Sequence, residues 1–156
     1  LDTKGFTFKT GVRTFEAAAY LRRMGVDPVN IRRLFKTDIR DSVRLSKVIS
    51  SAKIYRDNIA VAVCEDTGKD LQVLVAKAAD ELLNISGIEA SFVIARLGHK
   101  IIISGRSLET VNVQLILERL GGGGHITIAG AQLSNQDMDI ALEQLQKAID
   151  DVLNKF

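Results

Sequence analysis

The sequence predicts an α/β fold: a mixed β-sheet flanked by helices, preceded by a helical segment. Three observations carry this. Up to about residue 50 the apolar residues recur at helical spacing. From residue 52 on, short apolar runs of strand length, Ile59–Cys64 foremost, alternate with helical apolar stripes, which is the pattern of a layered α/β domain. The charge changes sign at the same place: residues 1–53 hold 12 Lys/Arg against 5 Asp/Glu, and the remaining residues hold 9 against 14.

Residues 1–12, punctuated by Gly5 and Gly11, read as loop, with a short strand as the alternative. Thr14 opens a helix whose apolar side is Phe15, Ala18, Ala19, Leu21 and Met24, and Gly25 stops it. Asp27-Pro28 is an N-cap followed by a first-turn proline, leading a helix with Ile31, Leu34 and Phe35 on one face. A third helix spans 38–51, with Ile39, Val43, Leu45, Val48 and Ile49 inward. Ile54-Tyr55 begins a strand, Asp57-Asn58 a turn, and Ile59–Cys64 a strand buried on both faces. Glu65–Lys69 is a polar loop. Asp70 then starts a helix with Leu71, Leu74, Val75, Ala78, Ala79, Leu82 and Leu83 on one stripe. Strands follow at 89–97 and 100–104, joined by a Gly98-His99 turn. Val111–Leu120 reads as a short helix, Gly121–Gly124 as a loop, and His125–Leu133 as a further strand. Asp137 caps a long last helix with Ile140, Leu142, Leu145, Ile149, Val152 and Leu153 inward.

Composition narrows the classes. Hydrophobic residues make up 46% and charged residues 26%, which suits a globular chain and not a disordered one. The single cysteine, Cys64, has no internal disulfide partner and reads as a buried packing residue, which fits a reducing compartment. No apolar run approaches the ~20 residues that span a bilayer. The N-terminus has no signal peptide and begins without methionine, so the chain reads as a piece of something longer. The basic first third suggests contact with phosphate or nucleic acid; a solvated helical face is the alternative.

The strongest chemical feature is Gly121-Gly122-Gly123-Gly124-His125. Four ordered glycines are entropically costly and are kept where the backbone needs positive φ or close approach. Their N–H groups can form an anion-binding concavity, and His125 can donate to a phosphate oxygen or carry a proton. A flexible connector is the competing reading. No Gly-Lys-Ser/Thr follows, so this is not a nucleotide-binding Walker loop. A second constellation is Ser104-Gly105-Arg106-Ser107, with Asn112 and Gln114 shortly after, expected where a strand ends and a helix begins. Arg106 offers a planar fork for phosphate and the serines offer hydroxyls, unless Ser107 only caps the helix and Arg106 is solvated. Asp2 is a candidate metal ligand, with a plain surface residue as the alternative, and Arg13 has similar standing. His99 reads as exposed.

Leu1–Ala18, Ser104-Gly105-Arg106-Ser107, Asn112-Val113-Gln114 and Leu120–His125 together resemble the end of the catalytic domain and the associated C-terminal domain of DHH phosphoesterases. Within them the chain is most similar to the membrane-anchored cyclic di-AMP phosphodiesterases of Gram-positive bacteria. The resemblance implies that 1–37 closes a DHH catalytic domain, 38–51 is a linker helix, and 52–156 is a DHH-associated substrate-binding domain. It implies a two-manganese centre, with Asp2 as the last aspartate ligand and the other ligands in an upstream DHH domain. Ser104, Arg106, Ser107, Asn112, Gly121, Gly122, Gly123, Gly124 and His125 would hold a cyclic dinucleotide or short oligonucleotide. The chain would lie in the cytoplasm, with the membrane reached only through upstream segments. Two other readings stay open: a nucleic-acid-binding module, as in RecJ nucleases or alanyl-tRNA synthetase, and an oligomerisation domain that would make a homodimer. Against the former, aromatic residues are only 5% and tryptophan is absent, so base-stacking platforms are scarce.

Overall fold

A computed structural model describes Phe6 and residues 10–154. The chain divides into two compact units, Leu1–Asp38 and Ile39–Phe156.

The first unit holds α1 (Val12–Arg23) and α2 (Pro28–Leu34). The Asp27 carboxylate accepts the Val29 N–H, with Pro28 in the first turn, as its sequence dictates. The apolar sides of these helices differ from expectation in one respect. Neither helix buries a residue, and Phe15, Leu21, Met24, Leu34 and Phe35 all stand exposed. Two helices this short supply too little surface to bury each other's apolar stripe.

The second unit is a six-stranded sheet between two helical layers. Its elements are α3 (Ile39–Ser50), β1 (Lys53–Tyr55), β2 (Ile59–Cys64), α4 (Leu71–Leu82), β3 (Ala90–Leu97), β4 (Lys100–Ser107), α5 (Val113–Glu118), β5 (Gly123–His125), β6 (Ile128–Ser134) and α6 (Met138–Leu153). The strand order is β1-β2-β3-β4-β6-β5. Only β2 and β3 run parallel. A parallel pair needs a crossover, and α4 supplies it. The mixed sheet flanked by helices is thus the fold that the apolar pattern implied.

Alternation along the strands sends side chains to two cores. Ile59, Val61, Phe92, Ile94, Ile101 and Ile103 pack with α5 and α6. Ala60, Ala62, Cys64, Val93, Ala95 and Ile102 pack with α4 and with Val48 of α3. Gly98-His99 makes the two-residue β3–β4 turn, with Gly98 at φ +61 and His99 exposed.

β4 runs three residues further than its sequence suggested. Gly105 lies inside the strand because Phe92 and Leu117 occupy the space its side chain would take, 3.0 and 3.1 Å from an ideal Cβ. Ser104, Arg106 and Ser107 therefore sit within a strand paired on both edges, not beyond its end.

α3 is fastened to the β2–α4 loop by Arg44, whose Nε and Nη2 both donate to Asp66 at 2.8 Å. The guanidinium, joined by the Gly68 N–H, holds the Asp66 carboxyl down to about 2. A folded-state value below the ordinary one adds stability that is present in full above about pH 4 and lost as pH falls toward 2. Asp66→Asn is expected to melt below wild type at pH 7 and level with it near pH 2. Thermal denaturation at both values checks this, and an equal gap at both would refute it.

Candidate functional site

On its α4 side the sheet is only half covered. The helix lies over β2, β3 and the near edge of β4, whereas the same face of β6 and β5 is open, with Ile128, Gly130, Gln132 and Ser134 exposed. Strand register fixes what stands on this face. Arg106 pairs with Ile128, which pairs with His125; Ser104 pairs with Gly130, which pairs with Gly123. Cross-strand partners share a face. One rung therefore presents Arg106, Ile128 and His125, and the next presents Ser104, Gly130 and Gly123. Between this platform and α4 runs a groove of about 450 Å³, lined among others by Gln72, Val75, Ile102, Ser104, Gly122 and Gln132.

The glycine run does three separate jobs. Gly121, at φ +74, closes α5: its N–H donates to the Glu118 carbonyl and the Gly122 N–H to the Leu117 carbonyl. This is a Schellman closure. These two amides are taken, so the anion-binding concavity of four amides suggested by the sequence does not form. Gly122 lies against β6, where a Cβ would overlap the Gly130 carbonyl oxygen and come within 2.7 Å of Ala131 Cβ. Gly123 and Gly124 belong to β5, an edge strand and not a loop. At Gly124, φ +152, an added Cβ would come within 2.6 Å of Ala129 Cα. Gly121 and Gly123 both have open space where a side chain would stand, and of the two only Gly123 lacks a positive φ. His125 ends β5, exposed, and its imidazole hydrogen-bonds to no described residue.

Arg106 is not solvated. Its side chain is 11% exposed, with Nε donating to Asp80 Oδ1 at 3.1 Å. Nη1 donates to Ser104 Oγ and to the Gly105 carbonyl, both at 2.9 Å. The guanidinium is thus held between α4 and β4. Ser107 points to the opposite face, is buried, and accepts the Val111 N–H through Oγ at 3.3 Å. Asn112 caps α5, accepting the Leu115 N–H at 3.1 Å, and Gln114 donates to Glu118 at 2.7 Å. The structure therefore gathers Ser104, Arg106, Gly123 and His125, with Gly121 and Gly122 at the groove's edge, and sets Ser107 and Asn112 to shaping the turn behind them.

Asp2 lies outside the described residues. Among the described residues no group of three or more His, Cys, Asp or Glu side chains could hold a metal ion. No described helix is long and apolar enough to cross a membrane. Sequence reasoning missed Asp80, Gln72 and Gln132. Gln72 and Asp80 stand at i and i+8 beside the apolar stripe of α4, with the small Ala76 between them, so the two polar side chains leave the helix on the same side. Only the β4–β6 register shows that Gln132 joins them.

Known proteins fit this architecture. The chain is 48% identical over 152 residues to the cyclic-di-AMP phosphodiesterase GdpP of Geobacillus thermodenitrificans, covering 97% of this chain and 23% of that protein. It is 44% identical over 151 residues to the cyclic-di-AMP phosphodiesterase PdeA of Listeria monocytogenes, covering 96% and 23%. The chain thus spans about a quarter of the length of these relatives. A crystal structure of an exopolyphosphatase-related protein from Bacteroides fragilis superposes with a TM-score of 0.79 at 22% identity, covering 96% of this chain and 46% of that one, and so shares the fold. The DHHA1 domain matches residues 56–155, from β2 through α6, and the chain belongs to the DHHA1 domain family.

Proposed function

We propose that this chain is the substrate-holding part of a manganese-dependent phosphodiesterase that opens cyclic di-AMP to the linear dinucleotide. The observation that carries this is the likeness, along nearly the whole chain, to two proteins named for that activity. The open sheet face beside the groove supports it chemically. Arg106 offers a fixed cationic edge and His125 an unengaged donor on one rung, which suits a phosphodiester. The small floor at Ser104, Gly130 and Gly123 lets a substrate lie close to the sheet. Asp80 and Ser104 hold the guanidinium in advance, so less freedom is lost when a phosphate arrives.

The described residues do not make a metal centre. The manganese ions belong in this reading to an upstream DHH domain, with Asp2 as the single ligand from this chain. Residues 1–37 close that domain, 38–51 link, and 52–156 hold substrate. The exposed apolar sides of α1 and α2 support a neighbour that covers them. A cytoplasmic setting, with any membrane anchor upstream, belongs to the same proposal.

The 156-residue chain alone is expected to hydrolyse nothing, because a two-metal reaction needs both ions clamped about 3.5–4 Å apart by several ligands. Manganese-dependent turnover of cyclic di-AMP by the pure chain would refute that. Binding of cyclic di-AMP and of single-stranded RNA over a salt titration tests the substrate class. Saturable dinucleotide binding with a shallow salt slope supports the proposal. Tighter RNA binding with a steep slope would replace it with a nucleic-acid module.

A further inference from the structure

Asp80 stands where its helix gives little reason for an acid. It lies in the last turn of α4, where the helix dipole disfavours negative charge, and aspartate is a poorer helix former than alanine. The apolar stripe of α4 is complete without it: Leu74, Val75, Ala78, Ala79 and Leu82 are buried, and the Asp80 side chain is 34% exposed. Its carboxylate reaches across to β4.

There Oδ1 accepts Nε of Arg106 at 3.1 Å. Nη1 of the same guanidinium donates to Ser104 Oγ and to the Gly105 carbonyl, both at 2.9 Å. Nη2 donates to no described residue, which leaves it for an anion. Ser104 and Gly105 belong to the strand of Arg106 itself and hold only Nη1. A guanidinium pinned at one nitrogen can still swing about that point. The second point, on Nε, comes from α4 and fixes its plane before a phosphate arrives.

The carboxylate also acts in the opposite sense. It stands beside the cation that meets a phosphate, and like charges repel. With Arg106 in place the carboxylate orients the donor. Without Arg106 only the repulsion is left. The contribution of Asp80 therefore depends on Arg106 being present.

We propose that Asp80 is a positioning residue for substrate binding: it fixes the Arg106 guanidinium from α4 so that Nη2 meets the substrate phosphate, and it acts only through Arg106. The inference rests on the reading of the chain as the substrate-holding part of a cyclic-dinucleotide phosphodiesterase.

The test is kcat and KM for cyclic di-AMP in the full-length protein that carries this chain. The variants are Asp80→Ala, Asp80→Asn, Arg106→Ala and the double variant with alanine at both positions. Asp80→Ala is expected to raise KM about 5- to 30-fold, with kcat changed less than about twofold. This is less than the loss of a direct contact to a charged group, because Arg106 keeps its two contacts on β4. Its melting temperature should stay within about 3 °C of wild type, since the replaced acid is partly exposed. Asp80→Asn keeps an oxygen that can accept the Nε–H, so KM should return to within about threefold of wild type. In the Arg106→Ala background, Asp80→Ala should cause no further fall in kcat/KM. An unchanged KM in Asp80→Ala would overturn the inference and leave the phosphodiesterase reading standing. So would a double variant whose loss is the product of the two single losses. Failure of wild type to hydrolyse cyclic di-AMP would overturn both.

Discussion

Valine at Gly122 and valine at Gly123 should give opposite phenotypes. At Gly122 the new Cβ would collide with the Gly130 carbonyl and Ala131, which are backbone and core and have nowhere to go. Overpacking against such neighbours costs about 3 kcal/mol, near the top of the usual range. In a unit of this size that lowers Tm by roughly 10 °C. At Gly123 the space is open, the backbone is in a strand without positive φ, and valine suits a strand. The fold should survive, while the branched side chain rises from the rung that carries Ser104 and lifts substrate off the platform. Displacement of about an ångström is enough to cost on the order of 100-fold. His125→Ala leaves the strand in place and removes one donor. Losing a hydrogen bond to a charged group costs roughly 1.5–3 kcal/mol, or about 10- to 150-fold in kcat/KM. The measurement is kcat/KM for cyclic di-AMP in the full-length protein, with melting curves for each variant. Wild-type kinetics for both Gly123→Val and His125→Ala would remove β5 from the substrate site.

Arg106→Ala is the second large effect. It deletes the guanidinium and leaves the Asp80 carboxylate on the open face without that cation. Substrate phosphate would then meet no cation where it had met a fixed fork. A fall in kcat/KM of at least 100-fold is expected, with a clear rise in KM. Arg106→Lys should recover only part of this, because a lysine cannot address Asp80, Ser104 and a phosphate from one plane. Lys100→Ala, at the far end of the same strand, should change kcat/KM less than about threefold, since its contact with the Gln132 amide oxygen is long, at 3.4 Å. Equal and small effects of Arg106→Ala and Lys100→Ala would show that the phosphate lies elsewhere.

What could be read from the sequence was local. The run Ile59–Cys64, the stripe from Leu71 to Leu83 and the Gly98-His99 turn each state their structure within a few residues, because burial and turn geometry act at short range. The rest depended on distant partners. Gly105 looks like a strand terminator until Phe92 and Leu117 are seen to fill its missing side chain. Gly121–Gly124 looks like a uniform loop because nothing nearby shows that two of its amides close a helix and two of its residues pair with β6. Arg106 reads as a phosphate fork or as a solvated side chain, and the sequence does not decide between them because its partner Asp80 is 26 residues away. Ser107 looked equivalent to Ser104, yet strand alternation sends it to the other face once β4 is known to continue. Of the groove's lining, Ser104, Gly121 and Gly122 stand out in the sequence; Gln72, Ile102, Gly130 and Gln132 do not, because only the fold brings them together.

The position of β5 in the sheet has a further consequence. This strand touches the sheet along one edge only, through three residues of β6, whereas β3 and β4 are paired on both sides and carry the core. Opening β5 therefore exposes little apolar surface and breaks few backbone bonds, so its amides exchange with solvent through local fraying, while those of β3 exchange only when the whole domain opens. The two halves of the sheet thus respond differently to substitution. Changes at Phe92 or Ile94 are felt as less folded protein. Changes at Gly123 or His125 are felt as the same amount of protein with altered turnover. A lineage can therefore retune its substrate on the margin of the sheet without spending the stability held at its centre.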